Sequence, residues 1–378
     1  MTDLRDVLAT HVSAGPTPGA VALVARGDRV EVAAVGSAGL GGSTPMARDS
    51  IFRVASITKP VIAAAVMVLV EDGRITLDEP VGRWLPEIAA PSVVRTPAGP
   101  VDDVVPAARP ITVRDLLTFR SGWGFPADFS LPAVGLLFSE LKQGPPQPQR
   151  VAPPDEWMAV LSRIPLLHQP GEAWLYNTSS DILGVLITRV AGRPLPEVLA
   201  ERIFEPLGMA DTGFEVAAGK RERFTSYCRG SAAGAPELVD APDGQWSSLP
   251  RFASGGGGLV STVDDLHAFA RMLLADGGPL LSPASVRQMT TDHLTPAQRE
   301  ASALFLEGQG WGFGGSVDIT AVDPWNVPGR YGWIGGTGTA AHLTPSTGTV
   351  TVLLTQLELT GPTPTALMRD FWRYAAAS

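Results

Sequence analysis

A serine and a lysine stand three residues apart, in Ser56-Ile57-Thr58-Lys59, just before the apolar residues 61–70. Side chains at this spacing share one face of a helix, with Cβ atoms about 5–6 Å apart, so the lysine amine can reach the serine hydroxyl. The first turn of a helix also offers unpaired backbone N–H groups and the positive end of the helix dipole. A nucleophile, an adjacent base and a positive pole are what acyl transfer through a covalent serine requires.

The same spacing occurs again at Ser139 and Lys142, directly before the turn residues 143–146. Most such pairs are surface helix turns, and this second copy has the pattern of a frayed helix end. Lysine is rare in the chain, at three of 29 basic residues, and Lys59 directly precedes a long apolar run, which is unusual for a solvated helix face. Spacing alone leaves the catalytic and the structural interpretations of Ser56 and Lys59 equally open.

The bulk composition excludes several classes of protein. The 378 residues are 44% hydrophobic and carry a net charge of −9 without a basic cluster, which excludes a nucleic-acid partner. Cys228 is the only cysteine and the five histidines lack ligand spacing, so we expect no metal and no cofactor. No segment reaches the roughly 18–20 apolar residues of a membrane span. With no signal-peptide pattern at the N-terminus, we expect a cytoplasmic protein without a membrane partner.

Hydrophobic patterning predicts strands near both termini and helices between them. Alternating residues predict one hairpin from 19–25 and 29–35, and a second from 340–343 and 349–355. Helices are expected over residues 4–12, 56–72, 112–118, 129–142, 155–164, 181–190, 195–203, 262–274 and 365–375. We therefore expect an α/β unit from residues 1–84 and 254–378, a mostly helical insertion from 85–253, and an active site between them.

Two loops fall close to these elements. Residues 143–154 contain five prolines and are expected to form a flexible or lid-like loop. The glycines at 255–258 precede a helix without a dinucleotide-binding fingerprint. They indicate either a close approach of the backbone beside the active site or a tight turn.

Three further stretches accompany Ser56-Ile57-Thr58-Lys59, at residues 116–122, 171–184 and 331–339. They contain Arg120-Ser121-Gly122, Tyr176-Asn177-Thr178 and Trp333-Ile334-Gly335. In this order and spacing, the four stretches resemble the serine β-lactamase and penicillin-recognising superfamily, most closely its class C-like branch of esterases, peptidases and acyltransferases. The resemblance implies a β-lactamase-like α/β fold, in which an antiparallel sheet is flanked by N- and C-terminal helices and carries a mostly helical insertion.

The resemblance also implies a role for individual residues. Ser56 would be the nucleophile, Lys59 its base, and Tyr176 the group that passes a proton to the leaving group and helps activate the deacylating water. The oxyanion hole would consist of the backbone N–H groups of Ser56 and Gly336, although the register of 335–338 could slip. Trp333-Ile334-Gly335 would lie on the edge strand where β-lactamases carry Lys-Thr-Gly. A lysine base must be neutral, so Lys59 needs burial to lower its pKa from about 10.4.

Two departures from the β-lactamase pattern favour ester substrates. The second motif there is Tyr-x-Asn, whereas here Thr178 occupies the asparagine position and would contact the substrate through its hydroxyl. Trp333 replaces the lysine that meets a substrate carboxylate, and an indole offers flat apolar surface and one donor. Trp123 and Phe125 fit a hydrophobic acyl pocket and the core of the insertion equally well.

The sequence thus predicts a cofactor-free serine hydrolase that acts on a small-molecule ester or amide, most simply a carboxylesterase for small or medium acyl groups. An acyltransferase would differ only in whether an acceptor excludes water at deacylation. A β-lactamase or D-amino-acid peptidase is disfavoured by the missing third-motif lysine. A non-catalytic binding or scaffold relative would have no need of Ser56, Lys59 and Tyr176 together.

Overall fold

The computed structural model describes residues 3–42, 44–231 and 234–377. The strands are β1 (Gly19–Arg26), β2 (Arg29–Gly36), β3 (Phe52–Arg53), β4 (Ser92–Val94), β5 (Val104–Pro106), β6 (Tyr227–Arg229), β7 (Glu237–Asp240), β8 (Val260–Ser261), β9 (Gly310–Trp311), β10 (Ser316–Val317), β11 (Tyr331–Gly335), β12 (Thr339–Thr344) and β13 (Thr349–Thr355). Seven of them form one antiparallel sheet in the order β2-β1-β13-β12-β11-β10-β9. The other six form three separate pairs, β3-β8, β4-β5 and β6-β7.

The helices surround this sheet and fill most of the middle of the chain. They are α1 (Leu4–Ala14), α2 (Thr58–Glu71), α3 (Val113–Leu117), α4 (Pro132–Ser139), α5 (Pro154–Leu161), α6 (Thr178–Ala191), α7 (Leu195–Leu199), α8 (Glu205–Leu207), α9 (Val263–Leu274), α10 (Pro283–Met289), α11 (Pro296–Ala301), α12 (Ala303–Leu306) and α13 (Ala366–Ala377). The terminal helices α1 and α13 pack against each other and against the sheet, and α9 packs on β12 and β13. The predicted β-lactamase-like α/β fold is confirmed, whereas the division into two units at residues 84 and 254 stays a prediction.

Both predicted hairpins are present. In the first, β1 and β2 pair from Gly19↔Gly36 to Arg26↔Arg29. Gly27 closes that hairpin with a φ of +54°, a left-handed conformation that glycine adopts without steric cost. The second hairpin, β12-β13, closes at Thr344↔Thr349. Turn chemistry next to alternating apolar residues was therefore sufficient to locate these four strands.

Helix α4 is shorter than the predicted 129–142. It begins at Pro132, whose ring disfavours a helical conformation in the residue before it, and Leu131 is extended, with φ −61° and ψ 137°. It ends at Ser139, and Lys142 then has a φ of +55°, which cannot continue a helix. The helix predicted at 195–203 is present, but only α7 is α-helical, and Ala200–Phe204 continue it as a π-helical turn.

The most buried helix is α2, in which every side chain from Thr58 to Leu69 is buried. A helix that is apolar on all sides belongs inside a protein, and α2 packs against α6. It begins directly after a 3-10 turn, Ala55–Ile57, that contacts β11. The start of α2 therefore lies where the sheet meets the helical middle of the chain.

Candidate active site

The structure places Ser56 in the 3-10 turn and Lys59 in the first turn of α2. The two side chains meet, with Lys59 Nζ 2.8 Å from Ser56 Oγ. The same amine donates a hydrogen bond to the backbone carbonyl of Gly256. The proximity expected from the three-residue spacing is therefore present, and a glycine carbonyl from a distant loop orients the lysine.

The backbone before Ser56 is strained. Ala55 has a φ of +43°, a left-handed conformation that costs a non-glycine residue of order 1–3 kcal/mol. The sheet stabilises this turn, because Thr339 Oγ1 in β12 donates a hydrogen bond to the Val54 carbonyl at 3.0 Å. Gly335 passes so close that a Cβ there would lie 2.4 Å from the same carbonyl. Gly335 therefore allows β11 to approach the Ser56 turn, and it does not line the cavity described below.

Lys59 has the environment that a neutral amine requires. Its side chain is 1% exposed, and burial lowers the pKa of Lys59 to about 7, while the charge of Asp181 acts in the opposite direction. Removal from water disfavours the ammonium form, which is why burial dominates. Near neutral pH a large fraction of Lys59 is therefore free to accept the Ser56 proton.

Tyr176 lies on the other side of Ser56. Its backbone forms a two-bond bridge with Phe125, each N–H donating to the partner's carbonyl at 2.9 Å. Its hydroxyl accepts a hydrogen bond from Trp333 Nε1 at 2.7 Å, and the Ser56 side chain lies beside it. Burial raises the pKa of Tyr176 to about 12, so the phenol stays protonated.

These contacts fix one order of donors and acceptors when Lys59 is neutral. The Trp333 indole can only donate, so the Tyr176 oxygen accepts there, and its own proton remains available for the neighbouring Ser56 oxygen. The Ser56 proton then faces the Lys59 lone pair, and a Lys59 N–H serves the Gly256 carbonyl. The arrangement suits removal of a proton from serine.

A carboxylate that the sequence reasoning missed lies behind Lys59. Asp181, in α6, accepts hydrogen bonds from Ser254 Oγ at 2.6 Å, from the Gly256 N–H at 2.9 Å and from Gln143 Nε2 at 3.0 Å. Thr178 Oγ1 donates to Gln143 Oε1 at 2.6 Å. Thr178, predicted to contact substrate, is thus fully buried and bound to Gln143.

A cavity of about 350 Å³ opens onto Ser56 and Gly336. Side chains of its apolar wall include Phe125, Phe129, Phe138, Phe305, Trp333 and Ile334. The rings of Phe125 and Phe138 stack at 4.8 Å. Residues 143–148 and Val151, from the proline-rich loop, form another part of the wall.

The structure separates the predicted substrate contacts into two groups. Phe125, Trp333 and Ile334 line the cavity. Trp123 does not, because it is buried and its Nε1 donates to the Ile164 carbonyl at 2.8 Å. Trp123 therefore belongs to the core, which was the alternative interpretation of this residue.

The expected edge-strand position of the third motif is corrected by the sheet order. Strand β10 pairs with β11 at Ser316↔Gly332 and Val317↔Tyr331, so β11 is not the outermost strand. That pairing is only two residues long and stops before Trp333. Gly336, just after β11, lines the cavity, and a Cβ there would meet no atom within 4 Å.

Two structural findings bear on other kinds of site. In the described part of the chain, no group of three or more His, Cys, Asp or Glu residues is placed to hold a metal ion. Across residues 3–42, 44–231 and 234–377, no helix has the length and apolar character needed to cross a membrane.

A serine next to a buried lysine and a tyrosine, on this fold, defines a serine hydrolase related to β-lactamases, and comparison with known proteins agrees. The family model described as Beta-lactamase matches residues 4–371. Protein Rv1367c of Mycobacterium tuberculosis is 38% identical over 364 residues, which are 91% of this chain and 86% of that protein. Esterase EstB of Burkholderia gladioli is 33% identical over 317 residues, 78% of this chain and 74% of EstB. The chain belongs to the beta-lactamase family.

The solved structures agree with this assignment. EstCE1, described as a hydrolase with promiscuous acyltransferase activity, superposes with a TM-score of 0.82 at 25% identity. The match covers 99% of this chain and 97% of EstCE1. The predicted enzyme class, a serine hydrolase among esterases and acyltransferases, is confirmed.

Proposed function

We propose that this protein is a carboxylesterase for small or medium acyl esters, and that Ser56 forms the acyl-enzyme. The observation that carries the proposal is the fully buried Lys59 amine, 2.8 Å from Ser56 Oγ and with a pKa of about 7, beside an apolar cavity. A serine hydroxyl is a weak nucleophile until such a base takes its proton.

In the proposed acylation, Ser56 Oγ attacks the ester carbonyl carbon while its proton passes to Lys59. The negative charge on the carbonyl oxygen is stabilised by the N–H groups of Ser56 and Gly336, each worth about 10²–10³-fold in rate. Tyr176 gives its proton to the leaving alkoxide and recovers one from Lys59. In deacylation the same groups activate water, which releases the acid and restores Ser56.

The cavity wall supports a neutral ester over a charged β-lactam. Where β-lactamases place a lysine, Trp333 offers an indole whose single N–H is already bound to Tyr176. Aromatic side chains at Phe125, Phe138 and Phe305 favour an apolar acyl or alcohol group. We therefore expect p-nitrophenyl esters to be hydrolysed much faster than nitrocefin, and comparable rates would count against the esterase assignment.

An acyltransferase is the second candidate function, because the relative EstCE1 is described with that activity. The apolar cavity wall also offers a binding surface for an acceptor alcohol. Adding a primary alcohol during ester turnover separates the two functions by the ratio of ester to acid produced. A cytoplasmic location stays a prediction.

The proposal is tested by the intact mass of the protein after mixing with excess p-nitrophenyl butyrate. We expect a transient butyryl adduct and a nitrophenol burst in the wild type and in Ser139→Ala, the matched control from the second serine–lysine pair. Ser56→Ala should show neither signal. Adduct formation in Ser56→Ala, or loss of the adduct in Ser139→Ala, would contradict the assignment of the nucleophile.

A further inference from the structure

Asp181 receives three hydrogen bonds of the kind that stabilise a carboxylate. It is 5% exposed, and its three partners, Ser254 Oγ, the Gly256 N–H and Gln143 Nε2, all donate to it. The Gly256 N–H and the Gln143 amide N–H can only donate, and the Ser254 hydroxyl already accepts a hydrogen bond from the Gly257 N–H at 3.1 Å. Burial raises the pKa of Asp181, whereas the three donated hydrogen bonds and the charge of Lys59 act in the opposite direction and favour the carboxylate.

Gly256 connects this charge to Lys59. Its N–H donates to Asp181 Oδ1 at 2.9 Å, and its carbonyl accepts from Lys59 Nζ. The approach is close, because a Cβ at Gly256 would lie 3.1 Å from Asp181 Oδ1 and 3.2 Å from Oδ2. The close backbone approach predicted for the glycine run at 255–258 is present at Gly256, and it brings the carboxylate and the amine to two ends of one residue.

The structure assigns Asp181 as a positioning residue for the proposed serine chemistry: it holds the Gly256 backbone that orients Lys59, and its charge sets how strongly Lys59 holds a proton. This inference rests on the proposed function. Nothing in it requires Asp181 to touch the substrate, and Asp181 acts only through Lys59 and Gly256.

The ionisable groups around Lys59 make this assignment specific. Tyr176 presents its ring to the Lys59 amine at 4.8 Å and stays protonated, so it adds no charge. Asp181 is the charged group that acts on Lys59, and it raises the pKa of Lys59 while burial lowers it. Between these opposite effects the lysine is kept near neutrality, where it can both accept and return a proton.

The test is the pH dependence of kcat/KM for p-nitrophenyl butyrate in Asp181→Asn. Without the negative charge, the lysine loses its proton more easily, so the acidic limb of the profile should move to lower pH by at least about one unit. The plateau should fall less than about tenfold, because Ser56, Lys59 and Tyr176 remain. A merely structural carboxylate would lower activity equally at all pH values, and an unmoved limb would overturn the inference.

A second variant addresses misfolding and tests the charge itself. Asp181→Asn combined with Gln143→Glu exchanges the amide and the carboxylate across one hydrogen bond, and Thr178 and Gly256 keep their partners. We expect the acidic limb to return part of the way towards the wild-type pH, since the charge is restored one hydrogen bond away from its original position. A double variant whose limb matches that of Asp181→Asn would contradict the charge argument.

The butyryl adduct separates this inference from the proposed function. If wild type forms no adduct at Ser56, the proposed esterase chemistry fails. If the adduct forms and the limb of Asp181→Asn does not move, only the role of Asp181 fails.

Discussion

The chain contains the same serine–lysine spacing twice, and the two copies have opposite surroundings. Ser56 and Lys59 open a helix whose side chains are buried from Thr58 to Leu69. Ser139 and Lys142 lie at the exposed end of α4. There the Lys142 amine donates to the backbone carbonyl of Ser139 at 2.5 Å, and the Ser139 hydroxyl donates to Glu140.

The difference indicates that the spacing brings the serine and the lysine within reach of each other, whereas burial makes the lysine amine a usable base. An amine removed from water loses the hydration that favours its charged form, and it becomes a usable base. The exposed Lys142 amine keeps that hydration. The second pair therefore serves as an internal control for the first.

The largest expected effect comes from removing the lysine of the first pair, and removal of the lysine of the second pair is the control. Lys59→Met should lower kcat/KM for p-nitrophenyl butyrate by about 10²–10⁴-fold, because a positioned proton transfer is typically worth that much. Lys142→Met should lower kcat/KM far less than Lys59→Met, because the exposed Lys142 lines the cavity but does not contact Ser56. Steady-state kinetics of both variants decide the matter, and similar losses in the two would mean that burial is not what distinguishes the pairs.

A smaller loss is expected from the tyrosine that completes the buried pair. Tyr176→Phe should slow turnover by about 10²-fold and leave measurable activity, because Lys59 can still return a proton to the leaving group. The matched control is Tyr331→Phe, since Tyr331 is also buried but donates to the Phe313 carbonyl at 2.7 Å. That control should lose stability and keep its turnover number. Turnover in Tyr176→Phe that equals wild type would remove Tyr176 from the mechanism.

Much of the fold and of the candidate site depends on residues that are close to each other in the sequence, and these parts could be predicted from the sequence. The spacing of Ser56 and Lys59 and the turns of both hairpins each depend on neighbours within a few residues. The family resemblance added Tyr176, which the structure brings to Ser56 from far along the chain.

The parts that sequence reasoning missed depend on distant contacts. In the sequence, Asp181 is an acidic residue in the first turn of a helix, and acidic residues are ordinary at that position in any surface helix. Its partner Gly256 is 75 residues away, and Gly256 is 197 residues from Lys59. Likewise the hydrogen bond from Trp333 to Tyr176 joins residues 157 apart. No local pattern carries such information, since only the folded chain places these groups together.

The smallest effect, and the most direct test of burial, is the pH dependence of stability. Burial holds the pKa of Lys59 at about 7 in the folded protein, below the ordinary 10.5 that it regains on unfolding. Between these values the unfolded chain binds one more proton than the folded protein, so the free energy of unfolding of wild type should rise with pH relative to Lys59→Met. The expected slope is about 1.4 kcal/mol per pH unit. The free energy of unfolding of Lys142→Met, measured by urea titration from about pH 7.5 to 9.5, should change with pH in parallel with that of wild type. The reason is that the Lys142 amine is exposed in the folded state as well. The contributions of the other titrating groups cancel when the free energies of unfolding of two proteins are subtracted. If the free energies of all three proteins changed with pH in parallel, Lys59 would keep its proton in the folded protein and would not be the base.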